Sequence, residues 1–307
     1  LPKFTKPYRL RDYNFTLVTL VFILSVIGIL VVGSAKQVYQ SRQVLGVMIG
    51  IVFMMIVTFI DYVWLLDFYW FFYGFSIFIL GLVLVAGKKV GGATRWIDLG
   101  FTTFQPSEMA KILLILFFAK FLMEHERDVN DRSTLCKYAI LAGLPLALII
   151  MEPNLSTTIC TAVVICFLIY IAGLSYKIIG GAALIAIPLA IIFLSIVVQP
   201  DQKLIQDYQR NRIMSFLYPE NEEYADDIEQ QNNSKTAIAS GELVGRAFSN
   251  DTSVTSVNDG NFVSENQTDF IFAVAGEQYG FIGCTLIVVL LFLITFECIR
   301  MSLRAKD

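Results

Sequence analysis

The sequence predicts an all-α polytopic membrane protein with about eight transmembrane helices, and three observations predict it. Of its 307 residues 56% are hydrophobic and only 16% are charged, against about a quarter charged in an ordinary soluble domain. The apolar residues lie in long blocks, as in lipid-exposed helices, rather than in the broken pattern of one large soluble core. Lys and Arg gather in the segments between those blocks.

The blocks are approximately 15–33, 44–62, 68–86, 108–123, 138–151, 157–172, 178–198 and 270–296. A basic segment precedes the first, but no small-residue cleavage pattern follows before the next apolar block. The first block is therefore read as a spanning helix and not as a removable signal peptide. An even count returns both termini to one side. Lys3, Lys6, Arg9 and Arg11 share that side with Arg127, Arg132, Lys137, Arg300, Arg304 and Lys306, which places it in the cytoplasm. The opposite loops are less basic but not free of charge, with Lys36, Arg42, Lys88, Lys89 and Arg95.

That orientation makes residues 199–268 a large extracytoplasmic loop inside a single transmembrane domain, 1–307. Such a loop is far longer than an ordinary connection. Its acidic run, Glu220, Glu222, Glu223, Asp226, Asp227 and Glu229, reads as a solvated face.

Several functions are disfavoured at this point. A net charge of -3 offers nothing to nucleic acid. Five cysteines lie in or beside apolar helices and the single histidine, His125, is isolated, so neither a disulfide framework nor a zinc site is indicated. No glycine-rich nucleotide loop follows a strand.

The informative residues are polar ones in expensive places. Trp96 suits a membrane interface, and Arg95 beside it is either an interface anchor or a forked donor for phosphate. Pro106 after Gln105 fits the first turn of a helix. Glu108 and Lys111, three apart, share a face of that helix and form either a packing pair or part of a functional cavity. Asp269, with Thr268, either caps the last helix or is an external carboxylate able to accept a proton. Glu277, eight residues on, is read two turns down the same face, paired across helices. Glu152 and Asn154 flank Pro153 in a connection that reads as a turn. Arg210 and Arg212 open the large loop, as an anion site or as a surface salt-bridged pair.

Five segments together resemble the bacterial SEDS proteins, the family of RodA, FtsW and SpoVE. They are Gly92-Ala93-Thr94-Arg95-Trp96-Ile97-Asp98-Leu99-Gly100, Gln105-Pro106-Ser107-Glu108 with Lys111, Gln209-Arg210-Asn211-Arg212-Ile213 with Tyr218-Pro219-Glu220, Ser234-Lys235-Thr236-Ala237-Ile238-Ala239-Ser240-Gly241 with Gly245, and Glu265 through Thr268-Asp269-Phe270-Ile271-Phe272-Ala273 to Glu277 and Gly280. The sequence departs from the family at residue 267, where Gln replaces a frequent histidine, and at Ser240-Gly241-Glu242-Leu243, where a glycine-rich stretch is usual.

The resemblance implies a peptidoglycan glycosyltransferase that polymerises lipid II and releases undecaprenyl pyrophosphate, with a class B penicillin-binding protein as partner. It implies a ten-helix fold, so the last two helices are expected to be missing here. It also implies roles. Asp269 is the catalytic base of an inverting transfer. Arg95 and Lys111 hold the pyrophosphate with Arg210 or Arg212, and Glu108 orients Lys111. Trp96, Gln105, Pro106 and Glu277 support them. No residue cluster specifies a metal, no cofactor is assigned, and a divalent cation at the phosphates is left open. A lipid-precursor flippase and a noncatalytic synthase scaffold are the alternatives.

Overall fold

The computed structural model describes residues 13–90, 93–98, 103–152, 154–199, 205, 207–218, 225–248 and 267–304. The basic tail with Lys3, Lys6, Arg9 and Arg11, the acidic residues Glu220, Glu222 and Glu223, Pro153, Pro219, Glu265 and Lys306 lie outside them, as do the side chains of Arg212, Asp226 and Asp227.

Eleven helices occur among the described residues: α1 (Phe15–Ala35), α2 (Gln37–Thr58), α3 (Tyr62–Leu66), α4 (Tyr69–Ala86), α5 (Pro106–Glu124), α6 (Arg132–Met151), α7 (Leu155–Ile171), α8 (Tyr176–Val197), α9 (Asp207–Leu217), α10 (Ala225–Ser240) and α11 (Ile271–Ser302). Between α4 and α5 stand three short strands, β1 (Lys88–Val90), β2 (Ala93–Asp98) and β3 (Thr103–Phe104).

Six helices, α1, α2, α4, α6, α8 and α11, are long and apolar enough to cross a membrane. Helix α7 is apolar but shorter, with 17 residues, and α5 carries Glu108, Lys111, Lys120 and Glu124. These eight helices correspond to the eight blocks read from the sequence, with shifted ends. Helix α2 starts at Gln37 rather than near 44, and α11 continues to Ser302 rather than ending near 296. Polar residues at helix ends carry little hydropathy but still satisfy their backbone inside the helix, so hydropathy alone ends a helix too early.

Two further differences are local. Between α4 and α5 the described residues form a small antiparallel sheet in the order β1-β2-β3, with Lys88 opposite Trp96 and Ile97 opposite Phe104, where hydropathy marked only a connection between two blocks. The large loop, in which hydropathy marked no block, contains α9 and α10.

The chain forms two compact units. In the unit of residues 60–204, α4 to α7 pack around Phe117, Phe118, Phe121, Leu114 and Tyr138. Buried hydroxyls there satisfy backbone carbonyls: Tyr138 donates to Ile165 O at 2.7 Å and Tyr73 to Leu141 O at 3.1 Å. The neighbouring α8 exposes nearly its whole apolar surface, as a lipid-facing helix does.

In the unit of residues 1–59 and 205–307, α1 packs along α11 through Val31, Val274 and Ala275. Asn14 caps α1 by accepting from Leu17 N at 3.0 Å, and its amide donates to Glu297 of α11 at 3.2 Å. Helix α11 is broken at Gly280, which has φ 62 and ψ -163. Two backbone donors freed by the break are taken by the turn after α10: Phe281 N donates to Glu242 O at 2.8 Å and Ile282 N to Leu243 O at 3.1 Å. Gly245, at φ 79, lies directly against this break, where a Cβ would collide with the backbone of Gln278 and Gly280. The break thus exchanges two intrahelical bonds for two that tie α10 to α11.

Candidate functional site

Each predicted residue is placed within its own unit. In the unit of residues 60–204, β2 carries Arg95 and Trp96, both half-buried, and packs on α4 and α5. Pro106 occupies the first turn of α5 and is buried, as its missing donor permits. Gln105 Nε2 donates to Ser107 Oγ at 3.2 Å. One turn into α5, Lys111 Nζ meets Glu108 Oε2 at 2.9 Å, the pair expected from their spacing. Neither is sealed off, so their charges remain accessible to a ligand. Lys88 pairs with Asp98 across the sheet at 3.1 Å.

Glu152, read from the sequence as part of a turn, is completely buried just past the end of α6. Burial pushes its carboxyl up to about 8, against the opposing pull of Arg95. Asn154, two residues on, caps α7 by accepting from Thr157 N at 3.4 Å.

In the unit of residues 1–59 and 205–307, Asp269 is exposed in the turn of residues 267–270. Of the two readings of Asp269, the helix-capping one is not met, because the N-cap position belongs to Phe270, which makes no side-chain capping bond, and Asp269 stands one residue before it. It follows that Glu277 is not two helical turns below Asp269 on one face, since Asp269 precedes the helix. The chain makes an extra turn before α11 starts, and cap-forming residue types do not reveal that.

Glu277 is 1% exposed and receives Arg246 Nη1 at 3.1 Å. The pairing expected of Glu277 is therefore present, and its partner comes from a short 3-10 turn, Arg246–Phe248. Arg246 was not singled out in the sequence. The available signal was the cost of Glu277 inside an apolar run, which demands a cation but does not say which. Arg210 is half-buried on α9, with Nε lacking a partner; Arg212 is on the same helix.

Beside the break, an apolar groove of about 320 Å³ is lined by Ile27, Leu30, Phe248, Tyr279, Ile282 and Leu286. Among the described residues no group of three or more His, Cys, Asp or Glu side chains is arranged to hold a metal ion.

Helices of this length and apolarity, with ionised side chains held in pairs at their ends and in a broken last helix, define a multi-pass helical membrane protein. The chain belongs to the family of FtsW, RodA and SpoVE, described as cell cycle proteins, whose profile matches residues 11–307. It is 34% identical over 234 residues to the peptidoglycan glycosyltransferase MrdB of Escherichia coli K12, covering 73% of this chain and 58% of that protein. It is 30% identical over 228 residues to the probable peptidoglycan glycosyltransferase FtsW of Haemophilus ducreyi, covering 74% and 54%. The matched region thus spans little more than half the length of these relatives. Among solved structures, a chain from a peptidoglycan synthase complex that coordinates polymerization and crosslinking superposes with a TM-score of 0.74 at 23% identity, over 96% of this chain and 80% of that one. The likeness establishes a shared fold.

Proposed function

We propose that this chain is the glycan-polymerising part of a cell-wall synthase. It takes lipid II, joins the sugar of one lipid-linked substrate to the growing strand, and releases undecaprenyl pyrophosphate. The observation that carries the reading is the family match over residues 11–307, together with relatives that are peptidoglycan glycosyltransferases.

In this reading the chain is one domain that crosses the membrane eight times, with α5 and α7 counted as crossings. Both termini are cytoplasmic, and residues 199–268 stand on the extracytoplasmic side. Asp269 removes the proton from the acceptor hydroxyl, and attack opposite the pyrophosphate inverts the anomeric centre. Its exposure, free of a capping bond, supports a role toward a substrate rather than toward the helix. Pyrophosphate is a weakly basic leaving group, so it needs charge neutralisation more than a proton. Arg95 and Lys111 supply this, Glu108 holds the Lys111 ammonium at 2.9 Å, and Arg210 and Arg212 add positive charge. The groove beside the break in α11 suits an apolar lipid chain. The partner is a class B penicillin-binding protein, which crosslinks what this chain polymerises.

The test is polymerisation of lipid II by the purified protein with its partner. The wild type is expected to yield glycan strands and Asp269→Asn, correctly folded, to yield none. Equal polymer from both would remove Asp269 from catalysis, and lipid II translocation without polymer would make the chain a transporter instead.

A further inference from the structure

Among the described residues of the unit 60–204, four side-chain atoms are fully buried without a hydrogen-bond partner: Arg95 Nε, Glu152 Oε1 and Oε2, and Asn154 Nδ2. Glu152 is 0% exposed and Asn154 4%. Buried polar atoms are nearly always bonded, so a concentration of orphans marks a place built for something else.

The geometry limits what that is. Asn154 uses its carbonyl oxygen to cap α7, which leaves its amide nitrogen as a donor with nothing to donate to. Arg95 acts electrostatically on Glu152, yet the two form no ion pair. A direct bond between them would use these atoms, and Arg95 Nε and both Glu152 oxygens make none. Two fixed donors, Arg95 and Asn154, thus accompany one carboxyl. If that carboxyl were ionised it would repel an anion; as an acid it becomes a third donor.

We propose that Arg95, Glu152 and Asn154 form a receptor for a phosphate or pyrophosphate oxygen, in which Glu152 binds as the carboxylic acid and donates its proton to that oxygen. The inference rests on the reading of Arg95 as a pyrophosphate ligand and adds a neutral donor to it: the anion binds the form in which Glu152 carries its proton, and only above the Glu152 pKa does binding draw that proton from solvent. Burial of Glu152 favours the acid form. The surrounding charges do not offset it. Helix α4 carries none, Lys88 is engaged by Asp98, and Lys111 by Glu108. Among the described residues Arg95 is the charged group that acts on Glu152.

The experiment is calorimetric titration of the full chain in detergent with inorganic pyrophosphate, a short-chain polyprenyl pyrophosphate and phosphatidylglycerol. Each is run in two buffers of different ionisation enthalpy. Glu152→Gln keeps the shape and a neutral donor, and its fold is checked by thermal unfolding. The wild type is expected to take up a proton on binding at pH 9, above the Glu152 pKa of about 8, and its affinity to fall relative to Glu152→Gln by about tenfold per pH unit above that pKa. The variant binds without that uptake. Preference for the polyprenyl probe assigns the oxygen to a lipid carrier, preference for phosphatidylglycerol to a headgroup, and equal binding of inorganic pyrophosphate to the free anion. Identical proton uptake in both proteins, or no binding of any probe, overturns the proposal. Polymerisation is not measured, so failure of the enzymatic reading and failure of this receptor are separate results.

Discussion

Arg246 Nη1 and Glu277 Oε1 meet at 3.1 Å, and Glu277 is 1% exposed, so one turn before the break in α11 a buried carboxylate is held by a cation from the segment after α10. Together with the backbone bonds from Phe281 and Ile282, this pair fastens the segment after α10 to the last helix. Arg246→Ala takes this cation away from a carboxylate that stays buried and is expected to cost ~2 kcal/mol, the order of one hydrogen bond to a charged group. Thermal unfolding in detergent measures it. Arg246→Met with Glu277→Leu is expected to recover most of the loss, because the double change removes both charges.

Gly280→Ala is expected to be more damaging than any other Gly→Ala change in α11. At φ 62 an L-residue is strained by about 1–2 kcal/mol. Its Cβ would also enter the backbone of Leu243 and Gly245, which has no side chain to yield. Gly276→Ala, where the added Cβ would lie 3.0 Å from Ile238, is the milder comparison. Unfolding temperatures of the two variants in the same detergent check the order.

Asp269→Asn is expected to retain its unfolding temperature, since the side chain is exposed and caps no helix. Loss of a positioned base lowers the rate by about 10²–10⁴. Single-turnover polymerisation separates this from a binding defect, which would raise KM instead.

Glu152 makes stability depend on pH. Its carboxyl titrates near 4.5 when unfolded and at about 8 when folded. Between these values the folded protein keeps a proton that the unfolded chain has released, so stability falls as pH rises through the window and levels off above it. Glu152→Gln lacks this slope. The variant is expected to melt higher than the wild type at pH 8, with the difference closing toward pH 4.5, as melting curves across that range will report.

Asn14→Ala removes both the cap of α1 and the bond to Glu297. A lost cap costs about 1 kcal/mol. Amide exchange is expected to quicken in the first turn of α1 before it changes elsewhere.

Hydropathy by itself determined that this chain is a bundle of membrane helices, because lipid admits no other backbone solution for long apolar runs. Spacing also determined the Glu108–Lys111 pair, since residues three apart on one helix are neighbours wherever the helix goes. It left Asp269 open between cap and base, and it named no partner for Glu277. Those depended on where α11 begins, on a glycine that breaks it, and on which loop segment reaches the break. Glu152 shows the same limit most clearly. A Glu-Pro-Asn turn looks solvated in sequence, and only packing of the sheet and helices around it buries the carboxyl and sets its proton affinity. Desolvation depends on everything that surrounds a group, most of it distant along the chain, so it was decided by the tertiary structure alone.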